Sequence, residues 1–359
     1  MAAWGQPAPA LSPQNPNGDH VVQSPPSDGV SSLSFSPGSN MLAAGSWDNK
    51  VSVYELSNSP MMDAPTAMPR AQTALDGPVM CTSFSADGQY VFAGGCDKTV
   101  RMWQLANAGA PAATIGQHDA PVKHVFAVSE MSLVASGGWD RTVRFWDTRQ
   151  PTPAAVLQMP ERVYAMDVRY PLMVVGTAER KICIYNLAGG NWQTPYRQED
   201  SPLRYQTRCI ATFPNQSGFA IGSIEGRVAI HHVDPKDAGR NFAFKCHREQ
   251  NGAETHIYSV NSIAFHDQFH TFATAGADGV FNFWDKDSKQ RLMAFKKGMQ
   301  PISCSAFSPN GAIYAYAYSY DWSKGSEHHN PATPNSILLH AVKKEEIQQR
   351  AKAGKNRQK

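Results

Sequence analysis

The chain has 359 residues, 42% of them hydrophobic, enough to bury a large continuous core and too apolar for a disordered polymer. Its net charge of +3 conceals an imbalance: residues 343–359 carry seven Lys and Arg against two Glu, a net +5, while the other 342 residues carry 26 basic and 28 acidic groups, a net −2. The body is not globally basic, which excludes a simple polycationic nucleic-acid binder; any basic surface must come from local patterning.

From the N-terminus, residues 1–18 are rich in Pro, Ala, Gln and Asn and are expected to be disordered. They lack the apolar region of a signal peptide, and no later stretch has the length and apolarity of a membrane span. The six cysteines form no CxxC pair and follow no zinc-ligand spacing. Reduced, mostly buried thiols in a soluble cytosolic or nuclear protein are expected. Asp19-His20-Val21-Val22-Gln23 then reads as a short strand standing before the first full repeat.

The next three segments superpose: residues 43–56, 92–105 and 135–148. Each has small residues, an acid, an apolar residue three places on and an aromatic six places on. The sets are Asp48, Val51, Tyr54; Asp97, Val100, Trp103; and Asp140, Val143, Trp146. The same rule finds Glu179, Ile182, Tyr185; Glu225, Val228, His231; and Asp278, Phe281, Trp284. A seventh copy runs from Pro301 to Asp321, and an insertion at Trp322–Asn335 delays its last strand to Ile337–Val342. The acids are 49, 43, 39, 46, 53 and 43 residues apart, the period of a four-stranded WD-type unit with loops of varying length.

Each copy reads as an alternating strand such as Val30–Phe35, a turn such as Ser36-Pro37-Gly38, a second strand, a tight acid-bearing turn and a third strand. Gly94-Gly95 and Gly137-Gly138 let neighbouring units approach closely. The fold class is all-β: a seven-bladed propeller over residues 19–342, with residues 343–359 as a basic tail that is mostly solvated and helical at its start. The strand at residues 19–23 is expected to complete the seventh blade beside Ile337–Val342 and so remove an open edge.

Two copies add an upstream His: His118, Ser136, Asp140, Trp146 and His247, Thr274, Asp278, Trp284. Such quartets resemble catalytic triads, but a buried hydrogen-bond chain bracing one blade is the simpler reading. The pairs His231-His232 and His328-His329 are poor chelators, because neighbours on a strand point to opposite faces. No catalytic group, metal site or cofactor is expected.

The acid-bearing turns mark one rim. Their tips include Trp47, Trp139 and Arg227, and the loops entering the first strands add Arg162 with Tyr164, Arg204 with Arg208, and Lys245 with Arg248. Trp and Arg are enriched at interface hot spots, and Arg can grip a carboxylate with two parallel hydrogen bonds. The rim suits an acidic, partly apolar peptide rather than a substrate.

The longer motifs are more specific. They include Gln117-His118-Asp119-Ala120-Pro121-Val122-Lys123, Gly222-Ser223-Ile224-Glu225-Gly226-Arg227-Val228, Phe244-Lys245-Cys246-His247-Arg248, Phe283-Trp284-Asp285-Lys286-Asp287 and Ser319-Tyr320-Asp321-Trp322-Ser323-Lys324-Gly325. Over residues 19–342 the chain resembles the nuclear-pore mRNA export factor family of WD-repeat propellers. A spindle-checkpoint family that binds similar motifs in kinases is its sister and the alternative reading. The resemblance implies a non-enzymatic platform that captures the hairpin-forming GLEBS motif of a Gly-Leu-Phe-Gly nucleoporin. It further implies docking at the nuclear pore, shuttling to the cytoplasm, and support for export of mRNA–protein particles as a single propeller in a heteromeric complex. Arg208 and Arg227 fall where both families receive the motif's glutamates, and Trp47 falls where an apolar contact is implied. The basic tail leaves weak RNA contact open as an accessory function.

Overall fold

A computed structural model describes residues 15–57, 65–330 and 332–349. Seven four-stranded antiparallel sheets form the body, with one additional two-stranded hairpin, among the described residues. The inner strands are Val30–Phe35, Val79–Phe84, Val122–Val128, Val163–Arg169, Thr207–Thr212, Val260–Phe265 and Ile302–Phe307. Each packs against the inner strand of the next blade, and the seventh against the first, so the ring is closed.

The acid-bearing turns form for a local reason. The residue after the acid lies in the left-handed region in all seven blades: Asn49, Lys98, Arg141, Arg180, Gly226, Gly279 and Trp322. Where the acid is Asp, its carboxylate accepts the backbone N–H two residues on, as in Asp48 (3.1 Å), Asp97 (3.1 Å), Asp140 (3.1 Å), Asp278 (3.2 Å) and Asp321 (3.1 Å). The short acidic side chain thus satisfies a turn N–H that no strand partner reaches.

Seven clusters of buried apolar side chains, counted among the described residues, fill the seven spaces between blades. Trp103 sits between the first and second blades and Trp146 between the second and third. Close approach is built in at Gly94, where an added Cβ would stand 2.5 Å from Val122 of the next blade.

The ring closes through the N-terminal strand. His20–Val21 pairs antiparallel with Ser336–Ala341, in the register His20 opposite Leu339 and Val21 opposite Leu338. The Val22 N–H continues the ladder to the Ile337 carbonyl at 2.9 Å. Val22 and Ile337 share one core cluster with Leu33 and Tyr54 of the first blade, so closure is apolar as well as hydrogen-bonded.

Packing continues past Val342. Lys344–Ile347 form one helical turn, Ile347 is fully buried, and its carbonyl accepts from Thr271 Oγ1 at 2.8 Å. Most of the segment expected to be disordered, residues 1–14, lies outside the described residues, as do residues 350–359 of the basic tail. Asn17 is held to the body, its side chain accepting from the Lys296 N–H at 2.9 Å. All six cysteines are free thiols, four of them buried.

Candidate partner-binding face

The two quartets are hydrogen-bond chains. His118 bridges Asp140 (2.9 Å) and Ser136 Oγ (2.7 Å), and Ser136 Oγ also accepts from Trp146 Nε1 at 2.7 Å. Burial by itself would raise the Asp140 carboxyl; hydrogen bonds from His118, Thr142 and the Asp119 N–H outweigh it and hold Asp140 well below the usual carboxylate range. His247 repeats the pattern with Asp278 (2.9 Å) and Thr274 (2.9 Å), and Trp284 Nε1 donates to Thr274 at 2.9 Å. Ser136, Thr274 and both histidines are buried, so each chain ties the acid-bearing turn to the blade interior.

Every inner strand carries a one-residue bulge near its start, on the rim of the acid-bearing turns. The extra residues are Ser31, Met80, Lys123, Tyr164, Arg208, Asn261 and Ser303, one per blade. A bulge turns its side chain away from the regular alternation. Here all seven line the mouth of a central cavity of about 700 Å³.

Of the six residues singled out from the sequence, Trp47, Trp139 and Arg208 line this cavity, and Arg162, Arg227 and Lys245 do not. Trp139 is 37% exposed. Trp47 is half-buried against Trp322, with ring centroids 5.6 Å apart, and Trp322 stacks on His329 at 4.9 Å. Arg208 lies within its strand rather than in the entering loop and reaches across the mouth. Its Nε is 3.4 Å from Asn261 Oδ1, and an Nη is 3.4 Å from the Asp321 carbonyl, two long contacts that leave donors unspent.

Arg162 pairs with Glu161 at 3.2 Å and lies over the Tyr164 ring at 5.6 Å. Arg227 makes one loose contact to Glu225 at 3.5 Å, and its side chain is 35% exposed. The Glu225-Gly226 turn beneath it is pinned by Arg248, which donates to the Glu225 carbonyl at 2.7 Å and the Gly226 carbonyl at 3.3 Å. Lys245 is placed differently from expectation. It is the last residue of the outer strand Phe242–Lys245, opposite Arg227, rather than part of a loop entering the sixth blade. The alternating Phe242-Ala243-Phe244-Lys245 run completes the fifth blade and leaves the Lys245 side chain exposed at its end.

Several residues of this face escaped sequence reasoning. Lys123, Tyr320 and Trp322 line the cavity. Tyr205, Ile224 and Ile257 are exposed apolar side chains around Arg227. Ile224 pairs through its N–H with the Gln206 carbonyl. Ile257 stands opposite Arg248 in a hairpin of Arg248–Asn251 and Glu254–Ile257. The Asn251-Gly252 dipeptide, with Gly252 at φ 61°, was the available signal for that hairpin.

The family model described as "WD domain, G-beta repeat" matches residues 17–55, 70–104, 109–147 and 244–285. Relatives match over nearly the whole chain. "Protein RAE1" of Arabidopsis thaliana is 50% identical over 355 residues, covering 99% of each chain. "Poly(A)+ RNA export protein" of Schizosaccharomyces pombe is 44% identical over 340 residues, 94% of each chain. "mRNA export factor" of Xenopus tropicalis is 48% identical over 339 residues, 90% of this chain and 89% of its own. With seven blades closed by the N-terminal strand and relatives of this identity along its length, the chain belongs to the mRNA export factor family of WD-repeat proteins.

Proposed function

We propose that the rim bearing the acidic turns captures a short acidic segment, the GLEBS motif of a Gly-Leu-Phe-Gly nucleoporin. The protein thereby docks mRNA–protein particles at the nuclear pore during export. The observation that carries the reading is the state of the arginines. Arg208 and Arg227 sit on exposed ground with most of their guanidinium donors unspent. Trp47 and Trp139 at the cavity and the exposed Tyr205, Ile224 and Ile257 add apolar surface to the same face.

The physical steps are those of coupled folding and binding. Ordering an extended segment costs several kcal/mol, so affinity must come from a few anchors. Apolar residues of the segment cover the two tryptophans and shield the arginines from water. Glutamates then pair with Arg208 and Arg227, displacing the loose Glu225 contact. A non-enzymatic platform fits this arrangement. The names of the relatives support the role in mRNA export, and residence at the nuclear envelope with shuttling to the cytoplasm follows from that role.

The test is a pull-down from cell extract with wild-type protein and Arg227→Glu, read by mass spectrometry. The reading expects a nucleoporin bound to the wild type and absent from the variant. A checkpoint kinase in its place, or equal recovery by both proteins, refutes it.

A further inference from the structure

We propose that the mouth of the central cavity is a phosphate-binding site built from Lys123, Tyr164 and Arg208 on three consecutive blades. The argument starts from the ring of seven bulged residues. Four of them have no donor to offer. Ser31 Oγ donates to the Val79 carbonyl at 2.5 Å, and Ser303 Oγ to the Val30 carbonyl at 2.6 Å. Asn261 Nδ2 donates to the Ile302 carbonyl (3.0 Å) and to Asp321 Oδ2 (2.9 Å). Met80 has none to give.

The other three stand side by side with donors to spare. The Lys123 ammonium has neither a hydrogen bond nor an ion pair among the described residues, and the Tyr164 hydroxyl has no partner among them. Arg208 is engaged only through two contacts of 3.4 Å. The half-buried ammonium and the guanidinium act on each other as like charges: burial first, then Arg208, holds the Lys123 amine below its usual range. Two cations sharing one cavity raise the potential at its mouth, and an anion between them would relieve both.

The carboxylates lining the cavity are committed elsewhere. Asp321 accepts from the Ser323 N–H (3.1 Å) and from Asn261. Asp167 Oδ2 accepts both the N–H and the hydroxyl of Thr212 at 2.6 Å. His124, next to Lys123, is pushed down to about 3 by burial and then by Lys123, with its Nε2 3.2 Å from the Tyr164 carbonyl. It adds no charge at neutral pH. An ammonium, a guanidinium and a phenol offered to one cavity from three consecutive blades match a tetrahedral oxyanion better than a planar carboxylate, which one arginine already satisfies. The ligand class is a small phosphate-bearing anion. Arg208 is shared with the captured segment and Lys123 is not, so substitution at Lys123 separates this site from that capture.

The experiment titrates the full chain with inorganic phosphate and with pyrophosphate, against chloride at equal ionic strength, followed by calorimetry and thermal midpoint. Lys123→Met should lose phosphate affinity by about tenfold or more, Tyr164→Phe by a fewfold, and Ser303→Ala not at all. In the wild-type protein, phosphate should protect Lys123 from amine acylation, read by peptide mass spectrometry; this arm needs no variant to fold. Lys123→Met should still take up the acidic segment. Equal phosphate affinity in wild type and Lys123→Met, no protection of Lys123, or loss of segment and phosphate together would overturn the proposal.

Discussion

His340 is the keystone of the ring closure, and replacing it should weaken the protein in a pH-dependent way. Its Nδ1 lies 2.7 Å from Asp19 Oδ1 and its Nε2 lies 3.0 Å from Glu346 Oε2. Asp19 precedes the closing strand, His340 lies on the strand it pairs with, and Glu346 lies in the final helical turn. The imidazole is packed edge-on against Phe295 at 4.8 Å, and Tyr316 donates its hydroxyl to Asp19 at 2.7 Å. Burial opposes protonation, but hydrogen bonds to Asp19 and Glu346 outweigh it and raise His340 from 6.5 to about 9. That difference corresponds to about 3 kcal/mol favouring the folded, protonated form. Because the folded value is raised, this contribution is fully present below about 6.5 and is lost as the pH climbs through about 9. His340→Gln should therefore unfold several degrees below wild type at pH 6, and the gap should shrink toward pH 9.5. Thermal unfolding of both proteins across that range is the assay. A gap that stays constant with pH would show that the imidazolium does not carry the closure.

Other expectations follow from single contacts. Ser136→Ala leaves Trp146 Nε1 and His118 without their shared hydroxyl partner inside the third blade, and should cost about 1–3 kcal/mol in chemical unfolding with no change of fold by circular dichroism. Gly94→Ala forces a methyl against Val122 and should destabilise by about 1–3 kcal/mol; a neutral result would mean the second and third blades can part freely. Deleting residues 350–359 spares the buried Ile347 and removes five of the tail's seven basic side chains; any RNA binding by the full chain should then lose strength and salt dependence together.

The repeat was legible because the physics of each blade is local. An acid before a left-handed residue, an apolar residue three places on and an aromatic six places on are set by one turn and one strand. The weak copies at Glu179 and Glu225 could be found from the strong ones. The closing strand was legible because an unpaired edge demands a partner and His20–Val21 was the spare strand. The quartets were legible because the Ser or Thr, the Asp and the Trp sit at fixed offsets around one turn, with a His upstream, 22 residues before Asp140 and 31 before Asp278.

The mouth of the cavity was not legible. A bulge at Lys123, Tyr164 or Arg208 is a backbone irregularity with no compositional mark, and only the sheet register reveals it. Lys245 was misplaced because blade boundaries were counted from the acids, and the 53-residue gap after Glu225 hides both an outer strand and a hairpin. The burial of Ile347 escaped notice because one helical turn is too short to show periodicity.

The arginine-lined rim is tested most directly by titrating a synthetic GLEBS-type segment into wild-type protein and into Arg227→Glu in a calorimeter. Reversing the charge should cost about 2–5 kcal/mol of binding, a loss of about thirtyfold or more, while the unfolding midpoint stays within a degree or so of wild type. Equal affinity for the two proteins, both still folded, would contradict the account.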